Sequence, residues 1–178
     1  MQLLQSDFEC LGQVAKHCNW SQLCIATERA KDFDLIPLVC YDLWKEISDS
    51  YVEGESGEFY NLWNGGEYEG CNNKFNRHLG LKAVWVYFSY AQYVIESAQK
   101  DTPTGRKVLD NDFSIPAPIK DLVTIEKKYR SMAFEAWEGV KGYLCSIGKH
   151  NDCGDCGCED CKGKVTKVSG ITSKAIYK

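Results

Sequence analysis

The sequence predicts a mainly α-helical protein: a helical bundle with a small β-hairpin or extended arm between the last two long helices, and a cysteine-rich C-terminal tail. Two long stretches carry apolar residues at helical spacing, and one of them is apolar on almost every side. Between these two stretches the helical pattern lapses where Gly, Pro and Asp cluster. We expect residues 1–148 to form one helical domain with the arm at about 101–115, and residues 149–178 to form an extension.

The first half of the chain predicts shorter helices. Ser21 is a suitable N-cap for SQLCIATERAKDF, and the DFD sequence is expected to end that helix. Apolar residues recur at every fourth position from Leu35 to Ile47, which predicts one helix over 35–50 with Pro37 in its first turn. FYNLW then predicts a short helical turn, and NGGEYEGCNN predicts turns.

The two long helices are predicted over about 79–98 and 119–147. The first has only a narrow polar strip, so most of its surface should be buried. The second has an apolar face on one side and a charged face on the other. The residues expected on its apolar face are Ile119, Leu122, Val123, Tyr129, Ala133, Ala136, Trp137, Val140 and Leu144.

Composition and charge exclude several classes of protein. Of the 178 residues 44% are hydrophobic and the formal net charge is −4, with no run of Lys or Arg. A protein that grips nucleic acid usually has a basic face, so tight DNA binding is not expected. The start of the chain has no basic flank or apolar run of a signal peptide, and no segment suits a membrane span. These features predict a soluble, intracellular protein.

Catalytic motifs are not apparent in the sequence. The three histidines do not form an HExxH pattern, and no GxSxG or phosphate-loop motif occurs. His17 lies beside Cys18, which is weak support for a nucleophile and its base. His78 is expected to cap the central helix or to face solvent. The sequence therefore predicts a protein that is not an enzyme.

Nine of the ten cysteines fall into two groups, and the tenth is Cys145. Five are scattered singly, and we interpret them as small buried hydrophobic residues: Cys10, Cys18, Cys24, Cys40 and Cys71. Four others form a CxxCxCxxC cluster, Cys153, Cys156, Cys158 and Cys161. Four thiolates suit a tetrahedral structural zinc site, with no open position for a substrate.

The cluster leaves alternatives open. A single residue separates its two CxxC pairs, whereas zinc ribbons separate theirs by many residues, and nearby acidic residues add negative charge. His150 or Cys145 could replace one of the four ligands. The cluster could also be a flexible tail of free thiols or could form disulfides.

Several segments, in chain order, resemble the head–tail connector proteins of tailed bacteriophages. LCIATERAKDFDLIPLVCYDLWKEI is similar to their opening helix, NLWNGGEYEG to their Asn-Gly-Gly-x-Tyr loop, and GLKAVWVYFSYAQYV to the helix that follows it. TPTGRKVLDNDFSIPAP resembles their arm, although basic residues follow Gly105 at once and the later basic position is missing. KYRSMAFEAWEGVKGYL is similar to their final helix. The resemblance covers about residues 20–146 and is nearest to the ring proteins of crAss-like phages.

The resemblance implies a virion protein of the neck, assembled in the cytoplasm of the bacterial host. Such proteins form homo-oligomeric rings, typically of twelve copies, beneath the portal protein. They extend the DNA channel without specific DNA recognition and contact neighbouring neck or tail ring proteins. We expect the arm to contact a neighbouring subunit or the next ring through Arg106, Lys107, Asp110 and Asp112. The alternative is a small zinc-binding adaptor or regulator that recognises partners through the cysteine cluster; an enzyme with an unrecognised site is a further alternative.

Overall fold

The computed structural model is mainly α-helical, which confirms the predicted fold class. It describes residues 1–9, 11, 18–51, 57–70, 74–97, 99–102, 105–108 and 118–149; side chains are described outside the strands at 99–108. The elements in chain order are α1 (Trp20–Ala30), a π-helical segment (Lys31–Leu35), α2 (Ile36–Val39), α3 (Tyr41–Ser50), α4 (Glu58–Asn64), β1 (Gly66–Glu69), β2 (Phe75–His78), α5 (Gly80–Ser97), β3 (Gln99–Thr102), β4 (Gly105–Val108) and α6 (Ile119–Ser146).

Helix α5 is the centre of the fold, and both α1 and α6 pack against it. More than half of its residues are buried, as the sequence predicts for the central helix. At its middle, the fully buried Trp85 makes edge contacts with Trp44 of α3 and Trp63 of α4. Its indole Nε1 donates a hydrogen bond to the carbonyl of Thr27 at 2.8 Å. Trp85 therefore connects four helices through one side chain.

Residues 20–39 form one continuous helical stretch, so the predicted end of the first helix at DFD is wrong. In the π-helical segment the N–H of Ile36 donates to the carbonyl of Lys31, five residues earlier. Pro37 follows in the first turn of α2. In a regular α-helix the ring of a proline collides with the carbonyl four residues before it, here that of Phe33. The wider π turn accommodates Pro37 without ending the helix.

Two helix boundaries differ from the predicted ones. The N-cap of α1 is Asn19 in place of Ser21, and its side-chain oxygen accepts a hydrogen bond from the N–H of Gln22 at 3.4 Å. The predicted helix over 35–50 is divided at Cys40, whose φ of 62° is incompatible with a right-handed helix. The predicted spacing nevertheless identifies the buried residues correctly, since Leu35, Val39, Leu43 and Ile47 are all buried.

Helix α6 contacts the core mainly through its second half. Its buried residues begin at Ala133, and none of residues 119–128 is buried. Ile119, expected on the apolar face, is 51% exposed because this end of α6 extends beyond the core. The other end closes as a glycine C-cap: Gly148 has a φ of 72°, and the N–H of Lys149 donates to the carbonyl of Leu144 at 3.0 Å.

Two antiparallel hairpins complete the described fold. In the first, β1 pairs with β2, with Gly66 opposite His78 and Glu69 opposite Phe75. The sequence predicted only turns in this region. In the second, β3 pairs with β4 between α5 and α6, which confirms the predicted hairpin between the last two long helices. Residues 103, 104 and 109–115 of the predicted arm and the cysteine-rich tail lie outside the described residues.

Candidate functional site

Three rings join the first hairpin to the last helix, and we call them the aromatic joint: Tyr68 of β1, His78 of β2 and Tyr143 of α6. The rings of His78 and Tyr143 are stacked, with centroids 4.5 Å apart and an interplanar angle of 14°. Tyr68 presents its edge to both of them, at 5.8 Å and 5.7 Å. Aromatic pairs at these distances stabilise packing beyond the area that they bury. The joint fixes the hairpin against α6.

Two glycines on α6 make room for the aromatic joint. A Cβ at Gly139 would lie 3.3 Å from the Cβ of His78, and a Cβ at Gly142 would lie closer than 3.0 Å to the hydroxyl of Tyr68. The Tyr68 hydroxyl donates to the carbonyl of Gly139 at 3.5 Å. Glycine within a helix lowers stability. Close packing of the hairpin explains why α6 has glycine at both Gly139 and Gly142, three residues apart on one face.

Two segments of backbone approach each other very closely at the base of the same hairpin, and we call this the backbone crossing. Gly65, just before β1, has a φ of 88°, and Gly80, just after β2, has a φ of 84°. A Cβ at Gly65 would lie 2.6 Å from the carbonyl carbon of Leu79, and a Cβ at Gly80 would meet the backbone of residues 63–65 closer than 3.0 Å. Both positions require glycine for conformation and for space. This crossing determines where α5 begins relative to α4.

His78 is buried, so the prediction that it caps a helix or faces solvent is wrong. Only 2% of its surface is exposed, and neither ring nitrogen has a hydrogen-bond partner among the described residues. Burial lowers the pKa of His78 from its usual value of 6.5 because the charged imidazolium loses its hydration. A crevice of about 190 Å³ beside it is lined partly by Arg77 and Glu135.

The burial of His78 predicts a pH dependence of stability. The unfolded chain binds a proton near pH 6.5, whereas the folded chain does so only at lower pH, so the free energy of unfolding should fall as the pH drops below about 6.5. His78→Phe keeps a planar ring against Tyr143 and removes the titration. Urea denaturation between about pH 7.5 and pH 5 should show a smaller loss of stability for the variant.

The other histidines are present in both proteins, so their contribution cancels in the comparison of wild type with His78→Phe. Removing two unpaired nitrogens should leave the variant at least as stable as the wild type at neutral pH. An equal pH dependence of stability in the two proteins would contradict the attribution of that dependence to His78.

A charged cluster joins the π-helical segment to α5 and α6. The carboxylate of Asp34 accepts hydrogen bonds from Arg130 at 2.7 Å and from Gln92 at 2.5 Å. Arg130 also donates to Glu126 at 2.5 Å, and its guanidinium lies 5.9 Å from the centroid of the Phe88 ring. Burial opposes the charge of Arg130, but the hydrogen bonds and charges of Asp34 and Glu126 outweigh it and raise its pKa. The cluster fixes the π turn against both long helices.

Only some of the residues predicted for the arm and the metal site lie in the described part of the chain. Arg106 lies opposite Asp101 and Lys107 lies opposite Lys100 in the register of the second hairpin. Cys145 lies in the last turn of α6 and is half-buried. The remaining predicted residues lie outside the described part of the chain: Asp110, Asp112, His150, Cys153, Cys156, Cys158 and Cys161. Within the described part, no group of three or more potential ligands could hold a metal ion.

The zinc site remains a prediction with a direct test. Protein made in a reducing cytoplasm and purified without added metal should carry one zinc ion in native mass spectrometry. Chelation should leave the melting temperature of the helical domain nearly unchanged, because that domain has enough apolar material to fold alone. A mass equal to that of the bare chain, with all four cluster thiols open to alkylation, would contradict the site. A large fall in melting temperature would instead make zinc part of the fold.

The scattered cysteines differ from the prediction that they are buried. Cys18 and Cys24 are only half-buried and are not in disulfide bonds. Cys40 is half-buried and disulfide-bonded. Cys10 and Cys71 lie outside the described residues. Spacing alone carries no signal that distinguishes these environments.

The aromatic joint was not identified as a site from the sequence, although signals for it are present. Tyr68 ends the Gly-Gly-x-Tyr motif, and Gly139 and Gly142 stand three residues apart in a predicted helix. Both features indicate close backbone approach. The contact between Tyr68 and the two glycines, however, depends on the packing of segments that are far apart in the chain.

Comparison with known proteins identifies the family to which the chain belongs. The sequence profile described as "Family of unknown function (DUF6712)" matches residues 35–157, and the chain belongs to this family. No curated protein and no solved structure matches the chain. The matched range includes the aromatic joint, both hairpins and both long helices. No helix within the described residues is long and apolar enough to cross a membrane.

Proposed function

We propose that this member of the DUF6712 family is a structural virion protein of a tailed bacteriophage: a ring-forming head–tail connector of the neck. Copies of the chain, twelve in the expected ring, dock under the portal protein, extend the DNA channel and provide a platform for tail attachment. Assembly takes place in the cytoplasm of the bacterial host. The observation that carries the proposal is the hairpin arm β3–β4, which lies between the two longest helices.

The arm has the properties of an intermolecular contact. Within the described residues it is a two-stranded sheet, so both of its edges carry backbone groups without a neighbouring strand in that sheet. Apart from β4, strand β3 contacts chiefly the end of α5 that it continues. Isolated two-stranded hairpins are marginally stable in water, so a partner surface would stabilise this one. Addition of a strand from a neighbouring copy is a common mode of such binding.

The start of α6 supports the same function. Helix α6 has 28 residues and α5 has 18, so their lengths are about 42 Å and 27 Å. The first ten residues of α6 contain no buried side chain, and Ile119 and Ile125 are 51% and 38% exposed. The arm and this exposed end follow α5 in the chain. Together they offer a surface to a neighbouring copy or an adjacent ring.

Three of the segments that resemble connector proteins also meet in space. The Asn-Gly-Gly-x-Tyr loop supplies Gly65 and Tyr68, the central helix begins at Gly80, and the final helix supplies Gly142 and Tyr143. These residues form the backbone crossing and the aromatic joint. Motifs far apart in sequence are therefore parts of one packing arrangement, which supports a shared fold over a chance match of short segments.

The charge of the chain is compatible with a DNA channel. The formal net charge is −4. Phosphate contacts by Lys and Arg dominate the affinity of proteins for DNA, so a mildly acidic ring would hold passing DNA weakly. Weak binding is required where DNA must slide through the channel during packaging and ejection.

Imaging of the purified protein tests the proposal. Mass photometry and negative-stain microscopy should show closed rings, either of the protein alone or on addition of purified portal protein. The expected mass is a multiple of the 20.2 kDa chain, near twelve copies for the full ring. A protein that stays monomeric at all concentrations and does not bind the portal would contradict the function.

Replacement of the arm separates assembly from folding. A variant in which Lys100–Lys107 is replaced by a short glycine-serine linker should keep the melting temperature of the wild type, because strands β3 and β4 contact chiefly each other and the end of α5. Its rings should be lost or reduced to small oligomers. Size-exclusion chromatography with light scattering measures both proteins side by side. Normal assembly of the variant would show that the hairpin is only a connection between helices.

A further inference from the structure

We infer that neighbouring copies contact each other head to tail, with Phe33 of one copy inserted into an aromatic groove of the next. The inference rests on the proposed ring and identifies residues that close it. We call Asp32 and Phe33 the knob. We call the receiving surface the groove, and it is lined chiefly by Leu4, Asp7, Tyr51, Tyr60, Trp63 and Lys82.

The knob is an exposed aromatic residue on a fixed backbone. Phe33 is 76% exposed, although it lies within a helical stretch that packs against the core. The next residue, Asp34, is held by Arg130 and Gln92. The backbone that carries Phe33 is therefore ordered before any partner binds, which lowers the entropic cost of association. Large aromatic side chains presented in this way are typical anchors of protein interfaces.

The π turn places the knob on the surface. Its residues, including Phe33, precede Pro37 and widen the helix at this point. Short π-helical segments occur frequently at functional sites. Ile25 lies eight residues before Phe33 in the same helical stretch and is 53% exposed.

The groove has the shape and lining that an aromatic ring requires. It is a cleft of about 530 Å³ between the N-terminal residues, the residue that follows α3, helix α4 and the start of α5. The rings of Tyr51 and Tyr60 are parallel, with centroids 6.5 Å apart and an interplanar angle of 5°. Trp63 lies 6.0 Å from Tyr51, and Leu4, 59% exposed, is at the rim. An incoming phenylalanine would contact aromatic surface and displace water.

The charges of knob and groove are complementary. Asp32 is exposed and has no ion-pair partner within the part of the chain that is described. Lys82 lies in the groove, one-third exposed, with its ammonium 3.4 Å from a carboxylate oxygen of Asp7. Its remaining donors can bind a second carboxylate. Insertion of Phe33 would bring Asp32 of one copy to Lys82 of the next.

Knob and groove lie on different parts of the molecule. The knob is adjacent to Asp34, which binds Gln92 of α5, whereas the groove includes Lys82 of the same helix. Ten residues of α-helix separate these positions by about 15 Å. A contact between two different surfaces is heterologous, and repeated heterologous contacts close into a ring when the rotation between copies allows it.

Variants of each surface test the contact. Phe33→Asp should abolish rings without lowering the melting temperature, because Phe33 is exposed. Phe33→Ala should weaken self-association by about 30-fold or more, as expected for an anchor residue. Phe75→Ala is the matched control, since Phe75 is an aromatic residue that is 80% exposed in β2, and it should assemble normally.

Mixing and charge exchange identify the partner surface. Phe33→Asp keeps the groove and Lys82→Glu keeps the knob, so neither alone should form rings, whereas their mixture should give a 1:1 heterodimer through the one intact contact. The double variant Asp32→Lys/Lys82→Glu should recover assembly that each single change weakens. Recovery would not occur if the two residues were far apart in the ring.

The outcomes distinguish this inference from the proposed function. Wild-type rings together with normal rings of Phe33→Asp would overturn the knob and leave the connector proposal intact. Rings lost by Phe33→Asp but unaffected by Lys82→Glu, with no heterodimer in the mixture, would overturn the groove as the receiving surface. A wild-type protein that forms no rings, alone or with portal protein, would overturn both.

Discussion

Gly80→Ala should lower the free energy of unfolding by about 3–5 kcal/mol, a large fraction of the roughly 5–15 kcal/mol that stabilises a typical native protein. The φ of Gly80 is 84°, a conformation that disfavours a side chain. A Cβ there would lie 2.7 Å from the carbonyl carbon of Asn64 and closer still to two other backbone atoms. Backbone cannot move aside as a flexible side chain can, so α4 and α5 would have to separate. Urea denaturation measures the effect.

Two other glycines separate conformational strain from steric collision. Gly148 has a φ of 72° but nothing within 4 Å of its added Cβ, so Gly148→Ala should cost only about 1–2 kcal/mol. Gly57 has an extended backbone with a φ of 174° and open space around it. Gly57→Ala should change stability by about 0.5 kcal/mol or less. A cost for Gly80→Ala no larger than that of Gly148→Ala would show that the crossing opens readily.

Trp85→Ala should be similarly severe, with a loss of about 3–5 kcal/mol from the cavity and the lost apolar contacts. Trp85 is fully buried, makes edge contacts with two other tryptophans and donates to the carbonyl of Thr27. Trp85→Phe keeps most of the ring contacts but removes the indole hydrogen bond, while the Thr27 carbonyl still accepts from the backbone N–H of Lys31. Its cost should be smaller, about 1–3 kcal/mol.

Phe33→Ala is the surface comparison for Trp85→Ala. Phe33 is 76% exposed, so its removal should change the stability of the monomer by about 0.5 kcal/mol or less. Thermal and urea denaturation of the three variants at one protein concentration, low enough to avoid assembly, give the ranking. A Trp85→Ala protein as stable as the wild type would mean that the core is not organised around this residue.

Local periodicity accounts for what could be predicted of the fold. A helix that is apolar on nearly every side must be buried, and α5 is the central helix. Apolar spacing likewise identified the buried residues of α2 and α3 and the two long helices on either side of the arm. These features depend on residues within a few turns of one another, and such information is present in the sequence pattern.

The candidate sites depended more on distant contacts. The Gly-Gly-x-Tyr motif was visible, but its packing against Gly139 and Gly142 required α6 to lie beside the hairpin. The groove combines the N-terminal residues with the residue that follows α3, with α4 and with α5, segments that no sequence pattern relates. Phe33 lies in a π turn that the sequence did not indicate, since DFD was expected to end the first helix.

The sequence by itself determined the helical class, the buried central helix and the hairpin between the two long helices, because each follows from the spacing of apolar residues or the clustering of turn-forming residues. Only the tertiary structure decided that the first helix continues to Val39, that the chain breaks at Cys40 and that His78 is buried. It also decided that Ile119 is exposed. Whether a given residue is buried depends on which other helices or strands pack over it. That packing is set by contacts between segments far apart in the chain.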